Sequence, residues 1–221
     1  MAPIVIAYWK IRGLAQPARL ILGYGKADFE DRMYECGDAP TFDRSSWNNV
    51  KHTFGLDFPN LPYLIDDEVK ITQSNAILRY LARKFDLIGE TEEQIVRMDM
   101  IENQAMDFRN GFTRLCYGSN KDNFKEKSEI YKEQVKNILG MFDKFLGIAH
   151  KWFAGEKLTF VDFIMYEALD HHRLFAEKLL EPYDNLKTFM KNFEALPQIK
   201  EFMESEKCFK GDINNKAAMF K

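Results

Sequence analysis

The rhythm of apolar positions changes along the chain. Ile4-Val5-Ile6-Ala7-Tyr8 is a short continuous apolar run, the pattern of a strand covered on both faces. Gly13 breaks it. Leu14 to Gly25 then has helical composition, with Pro17 in the first turn, where the missing N–H costs nothing. Phe29 to Tyr34 reads as a second strand, so the chain opens β-α-β, the signature of a parallel pair with a crossover helix. Residues 35–62 are polar and irregular. Tyr63-Leu64-Ile65 and Val69-Lys70-Ile71 read as a hairpin around Asp66-Asp67-Glu68. Ser74 is a candidate N-cap for a helix carrying Ile77, Leu78, Leu81, Ala82 and Phe85 on one face.

After residue 85 the period is helical throughout. Tyr131, Val135, Ile138, Phe142 and Phe145 recur at 4-3-4-3 spacing, predicting a helix packed in a bundle. Thr159 and Asp162 form a capping box that opens another helix. Pro182 and Pro197 separate two later ones, and the tail from Lys207 has no clear period. The expected fold class is therefore α+β, a βαβ-ββα domain over residues 1–85, a linker at 86–90 and an all-α bundle over 91–221.

Composition narrows the partners. Hydrophobic residues are 46% and charged residues 29% of 221, enough apolar mass for a real core. The formal net charge of -3 gives no general pull toward nucleic acid or an anionic membrane. No apolar stretch approaches the roughly 18 residues of a membrane span, and the start is not a signal peptide. Cys36, Cys116 and Cys208 are too few and too scattered for a disulfide framework or a zinc site. A reducing, cytoplasmic compartment is the expectation. Dinucleotide, Walker, nucleophile-elbow and zinc-protease motifs are all missing. His52, His150, His171 and His172 read as surface or packing residues, and the acidic trio at 66–68 as an exposed turn rather than a metal site.

One linked set of motifs is specific. Residues 58–77 read FPNLPYLIDDEVKITQSNAI. Upstream stand AYWKIRGL at 7–14 and DAPTFDRSSW at 38–47, and downstream NQAMD at 103–107 and WFAGEKLTFVDF at 152–163. Together they resemble the cytosolic glutathione transferases of the mu class, over essentially the whole chain and most densely in the first 85 residues. The resemblance implies a thioredoxin-like domain followed by a helical domain. It also implies an enzyme that joins reduced glutathione to hydrophobic electrophiles in detoxification, with glutathione as co-substrate and neither cofactor nor metal.

The implied chemistry can be followed residue by residue. A free thiol with a pKa of about 8.5 is only slightly ionised at neutral pH. Lowering it by about two units takes roughly 2.7 kcal/mol, within reach of a charge-assisted hydrogen bond plus a favourable field. The resemblance gives that role to the Tyr8 hydroxyl. Residues 8–16 hold neither Cys nor Ser, which separates this chain from disulfide-exchange enzymes of similar fold. Leu61-Pro62 matches the family's cis-proline turn, whose Leu61 backbone pairs with the ligand's cysteinyl unit. Gln73 and Ser74, opening a helix, correspond to the γ-glutamyl carboxylate site. Arg44, Trp47 and Lys51 correspond to the grip on the glycyl carboxylate, Asn60 to the same cleft, and Asp107 to the acid that a second subunit lends to the γ-glutamyl amine.

Phe58 resembles the family's dimer key, with Phe142 and Phe145 as candidate walls of the receiving pocket, so a homodimer is implied. Trp9, Ile11, Leu14, Thr113 and Tyr117 match electrophile positions, with Tyr117 a candidate donor to developing charge. Trp9 and Leu14 also border glutathione. Asn214 and Asn215 stand where the family often has an aromatic and a small hydroxyl residue, which predicts a more open or polar lid.

Overall fold

The computed structural model describes residues 2–147 and 150–221. Its first sheet has the order β2-β1-β3-β4. β1 (Ile4–Trp9) runs parallel to β2 (Phe29–Tyr34), with Ile4 opposite Phe29 and Tyr8 opposite Met33. On its other edge β1 pairs antiparallel with β3 (Tyr63–Asp66), which turns into β4 (Val69–Thr72). Between strands lie α1 (Gln16–Tyr24), the single turn α2 (Ser45–Asn48) and, after β4, α3 (Ser74–Lys84). Ile6 and Ala7 are wholly buried, as expected of a central strand that does not alternate.

Ser74 is the first residue of α3 rather than its cap. Gln73 precedes it with φ +72°, in the left-handed region, and supplies no side-chain cap. Asp66 at the end of β3 accepts from Tyr80 Oη at 2.7 Å and Lys84 Nζ at 2.6 Å, which ties α3 to the hairpin. Burial works against the Asp66 charge, yet Lys84 and Tyr80 hold its carboxyl below the usual range.

The helices that follow are α4 (Glu92–Tyr117), α5 (Phe124–Leu146), α6 (Phe160–Phe175), a short 3-10 turn (Glu177–Leu180), α7 (Asp184–Glu194) and α8 (Pro197–Glu204). α4 starts with a capping box that the sequence reading overlooks: Gln94 N–H donates to Thr91 Oγ1, and Thr91 N–H to Gln94 Oε1. The box at 159–162 is present, and Asp162 Oδ1 also accepts from Phe153 N–H at 2.8 Å. Desolvation pushes Asp162 up to about 7 against these donors. The buried seam of α5 is Val135, Leu139, Phe142 and Leu146, one position off the expected series at two places. Ile138 and Phe145 are half-buried and face a groove described below.

The chain divides into two compact units, Met1–Phe85 with Gln198–Met219 and Lys221, and Asp86–Pro197 with Phe220. The first unit thus takes in Gln198–Met219, which the sequence reading places with the helical domain at 91–221. Phe202 of α8 lies against Gly23 of α1, where a Cβ would overlap its ring, and near Phe29 at 6.2 Å between centroids. Phe209 lies under the Arg19 guanidinium at 4.9 Å. The expected linker is likewise built into the second unit. Lys157 bridges Asp86 and Glu90 at 2.9 and 2.8 Å, and Phe160 N–H donates to Leu87 O at 2.9 Å.

α6 is the centre of the second unit, buried from Phe160 to His172. The neighbouring histidines face different partners. His171 Nε2 sits 2.7 Å from Glu167 Oε1, and His172 stacks on Phe108 with centroids 4.1 Å apart. His172 Nδ1–H donates to Ala168 O at 2.7 Å, so its Nε2 accepts from the Tyr131 hydroxyl at 2.7 Å. Cys36, Cys116 and Cys208 are buried and outside any disulfide. No described helix is long and apolar enough to cross a membrane.

Candidate functional site

Tyr8 stands one residue from the end of β1, 7% exposed, in a buried cluster with Ile11, Ala15, Trp47, Leu61 and Tyr63. The chain then turns sharply through residues 10–15 into α1. Ala15 N–H and Gln16 N–H both donate to Arg12 O, which closes the turn. Arg19, fully buried, holds this turn from behind. Its Nη1 donates to Ile11 O at 2.8 Å, and its Nε lies 2.9 Å from Asp31 Oδ2. Burial raises the Asp31 pKa, and Arg19 offsets part of that rise.

The tail closes the same turn from outside. Arg12 N–H donates to Asp212 O at 2.8 Å, Gly13 N–H to Ile213 O at 3.1 Å, and Gln16 Nε2 to Phe209 O at 3.2 Å. Of the tail, the sequence reading names Asn214 and Asn215 at the pocket lid but not residues 209–213, and it does not name Arg19. The signal for Arg19 is its place directly before the apolar run Leu20-Ile21-Leu22, since an arginine drawn into a core needs a partner. The tail carries no such signal.

Leu61-Pro62 is cis, as is Ala39-Pro40. Leu61 N–H, the expected donor to a ligand backbone, is met here by Asn60 Oδ1 at 2.9 Å. Asn60 thus occupies the group it was expected to stand beside. Trp47 is 5% exposed and stacks on Phe54 and Tyr63 at 6.1 and 5.7 Å, so its ring belongs to the core. Arg44 and Lys51 flank it on the same short segment. Among the described residues neither forms an ion pair, leaving two cations available to an anion. At α3, Ile77 N–H is the first to bond back, to Gln73 O at 3.0 Å. The N–H groups of Ser74, Asn75 and Ala76 therefore precede the helical ladder, where an anion is favoured.

Trp9 and Leu14 are half-buried, and Ile11 is buried with its edge on a cavity of about 270 Å³. That cavity is also lined by Lys10, Glu35, Cys36, Asp212, Asn214, Asn215 and Lys216. Lys10 pairs with Glu35 and Lys216 with Asp38, each at 2.7 Å, and both carboxyls are held below their usual range by these lysines. The lining mixes polar and apolar surface, with both asparagines on it.

In the second unit, Thr113 is half-buried and Tyr117 is 40% exposed near the end of α4. Asp107 is exposed on α4 and borders a groove of about 330 Å³ between α4 and α5. Met100, Ile101, Ile138, Met141, Phe142 and Phe145 give the groove its apolar walls. Phe58, in the first unit, is 73% exposed. Among the described residues no cluster of three or more His, Cys, Asp or Glu could hold a metal ion.

Comparison with known proteins gives these features a family. Residues 4–83 match the N-terminal domain model of glutathione S-transferase, and residues 106–206 match its C-terminal domain model. Glutathione S-transferase Mu 5 of Rattus norvegicus is 53% identical over 215 residues, 97% of this chain and 94% of the relative. Glutathione S-transferase Mu 3 of Homo sapiens is 51% identical over 217 residues, 98% and 95% of the two chains. Among solved structures, the glutathione S-transferase Blo t 8 superposes with a TM-score of 0.88 at 36% identity, covering 97% of this chain and 98% of that one. The two domain models and relatives about half identical over nearly the whole chain agree: this chain belongs to the glutathione S-transferase family, beside its Mu-class members.

Proposed function

We propose that the protein conjugates reduced glutathione to hydrophobic electrophiles, with Tyr8 stabilising the thiolate. The observation that carries this reading is the placement of Tyr8. Its phenol stands one residue from the end of the central strand, itself buried, beside a turn pinned by Arg19 and by backbone bonds. A phenol of pKa about 10 stays protonated at neutral pH and donates to sulfur. The thiol proton leaves to solvent, the sulfur bonds to the electrophilic carbon, and a leaving group departs or a double bond is saturated. Nucleophile activation and proximity supply the acceleration.

In this reading Leu61 exchanges its Asn60 contact for the cysteinyl backbone. The α3 N-terminus, with Gln73 and Ser74, takes the γ-glutamyl carboxylate. Arg44 and Lys51 take the glycyl carboxylate, with Trp47 as a rigid wall. Trp9, Ile11, Leu14 and Asn214 border the electrophile, and Thr113 and Tyr117 keep the same assignment. The working form is a homodimer in which Phe58 enters the α4–α5 groove of a second copy and Asp107 is lent across to the γ-glutamyl amine. Detoxification in the cytoplasm is the role that fits this chemistry.

The test is a pH–rate profile for glutathione and an activated chloroarene with wild type and Tyr8→Phe. The substitution is expected to cut the rate at neutral pH by about tenfold to a hundredfold, with glutathione affinity nearly unchanged. Equal rates in the two proteins remove Tyr8 from its role.

A further inference from the structure

We propose that Gly13 is a positioning residue for Tyr8: its missing side chain, backed by the chain's own tail, sets where the phenolic hydroxyl stands. The proposal rests on the thiolate-stabilising role given to Tyr8 above.

A Cβ built on Gly13 lies 2.6 Å from Tyr8 Cε1, 3.1 Å from Tyr8 Oη and 3.2 Å from Ile11 Cδ1. The first distance is far inside van der Waals contact, so one partner has to move. Neither moves freely. The Tyr8 ring is packed in the buried cluster with Ile11, Trp47, Leu61 and Tyr63. Gly13 is held from the other side, because its N–H and that of Arg12 donate to Ile213 O and Asp212 O. The tail carrying those carbonyls is anchored by the contacts of Phe209 with Gln16 and Arg19. The backbone of Gly13 has φ +42°, so a side chain there is strained even before the contact is counted.

The reacting sulfur needs its donor to within a few tenths of an ångström, since a hydrogen bond weakens steeply as its geometry departs from ideal. A methyl group at residue 13 displaces the edge of the ring that carries this donor. The effect therefore passes through the hydroxyl, and that is what distinguishes positioning from general damage to the fold.

A double-mutant cycle separates the two. The ultraviolet absorbance of the bound thiolate is titrated against pH for wild type, Gly13→Ala, Tyr8→Phe and the double variant. In the wild-type background Gly13→Ala is expected to raise the apparent pKa of the bound thiol by about one unit, a tenfold loss of thiolate below the titration range. Glutathione affinity is expected to stay within about threefold. In the Tyr8→Phe background the ring edge is still struck but no hydroxyl is there to displace, and the same substitution is expected to shift the thiol by no more than about 0.2 unit. Equal shifts in both backgrounds, or none in the first, overturn the proposal.

If Tyr8→Phe alone leaves the thiol unmoved, the reading of Tyr8 falls, and this one falls with it. Phe209→Ala, which loosens the half-buried anchor of the tail, covers the case in which Gly13→Ala does not fold. It is expected to raise the thiol pKa by a smaller amount, and an unchanged value in that variant counts against the tail's part.

Discussion

Phe58→Ala is the most quantitative test of the proposed dimer. The ring is 73% exposed in one copy, the highest value among the exposed large apolar side chains of the described residues. The α4–α5 groove, at about 330 Å³, is roomy enough for it; an apolar cavity of about 150 Å³ already admits benzene. Seating the ring removes about 150 Å² of apolar surface from water, or roughly 4 kcal/mol at about 25 cal/mol per Å². A two-fold dimer repeats the contact, so the gross loss on truncation is about 7 kcal/mol. Allowing half for incomplete burial and the remaining methyl group leaves about 3.5 kcal/mol, so the dimer dissociation constant should rise by about three hundredfold. Sedimentation velocity over a dilution series measures it directly. A dissociation constant within about tenfold of wild type refutes the reasoning, because no other assignment of the groove then needs Phe58. Since Asp107 borders the same groove, glutathione affinity should fall as the variant dissociates.

Two further perturbations test the interior. Arg19→Met strands Asp31 and the Ile11 carbonyl and should cost about 3–5 kcal/mol of stability by urea denaturation. Adding Asp31→Leu should restore a good part of that, and a double variant no better than the single one removes the stranded carboxylate as the cause. His172 is driven down to about 3 chiefly by burial, with His171 adding to the effect and the Ala168 carbonyl opposing it. Between pH 6.5 and about 3 the unfolded chain therefore binds the extra proton, and stability falls as pH is lowered through that window. From pH 7 to pH 5 the loss from this group is about 2 kcal/mol. His172→Gln, although less stable at pH 7, should lose about 2 kcal/mol less over the same step in denaturation curves; parallel curves for the two proteins exclude His172 as the source.

Much of the molecule could be read from short stretches of chain. The continuous apolar run at 4–8 and the hairpin at 63–71 became β1, β3 and β4, because strand pattern and turn chemistry are local. Thr159 with Asp162 announced α6 for the same reason. The period of α5 was legible, but which face turns inward was not. Ile138 and Leu139 are equally apolar neighbours, and only the position of α4 and α6 decides between them.

What one residue says about itself the sequence determined: strands, helices, the order of elements, and the motifs that place Tyr8 at a strand end. Tertiary structure alone decided the rest. It brought residues 209–213 back to the turn at 12–16, hid Arg19 behind that turn and turned Asn60 onto Leu61. It also made Trp47 a core residue. The physical reason is plainest in the tail, whose contacts join residues some 200 positions apart through backbone carbonyls. Those carbonyls are chemically alike at every residue and leave no mark in the identity of the side chains.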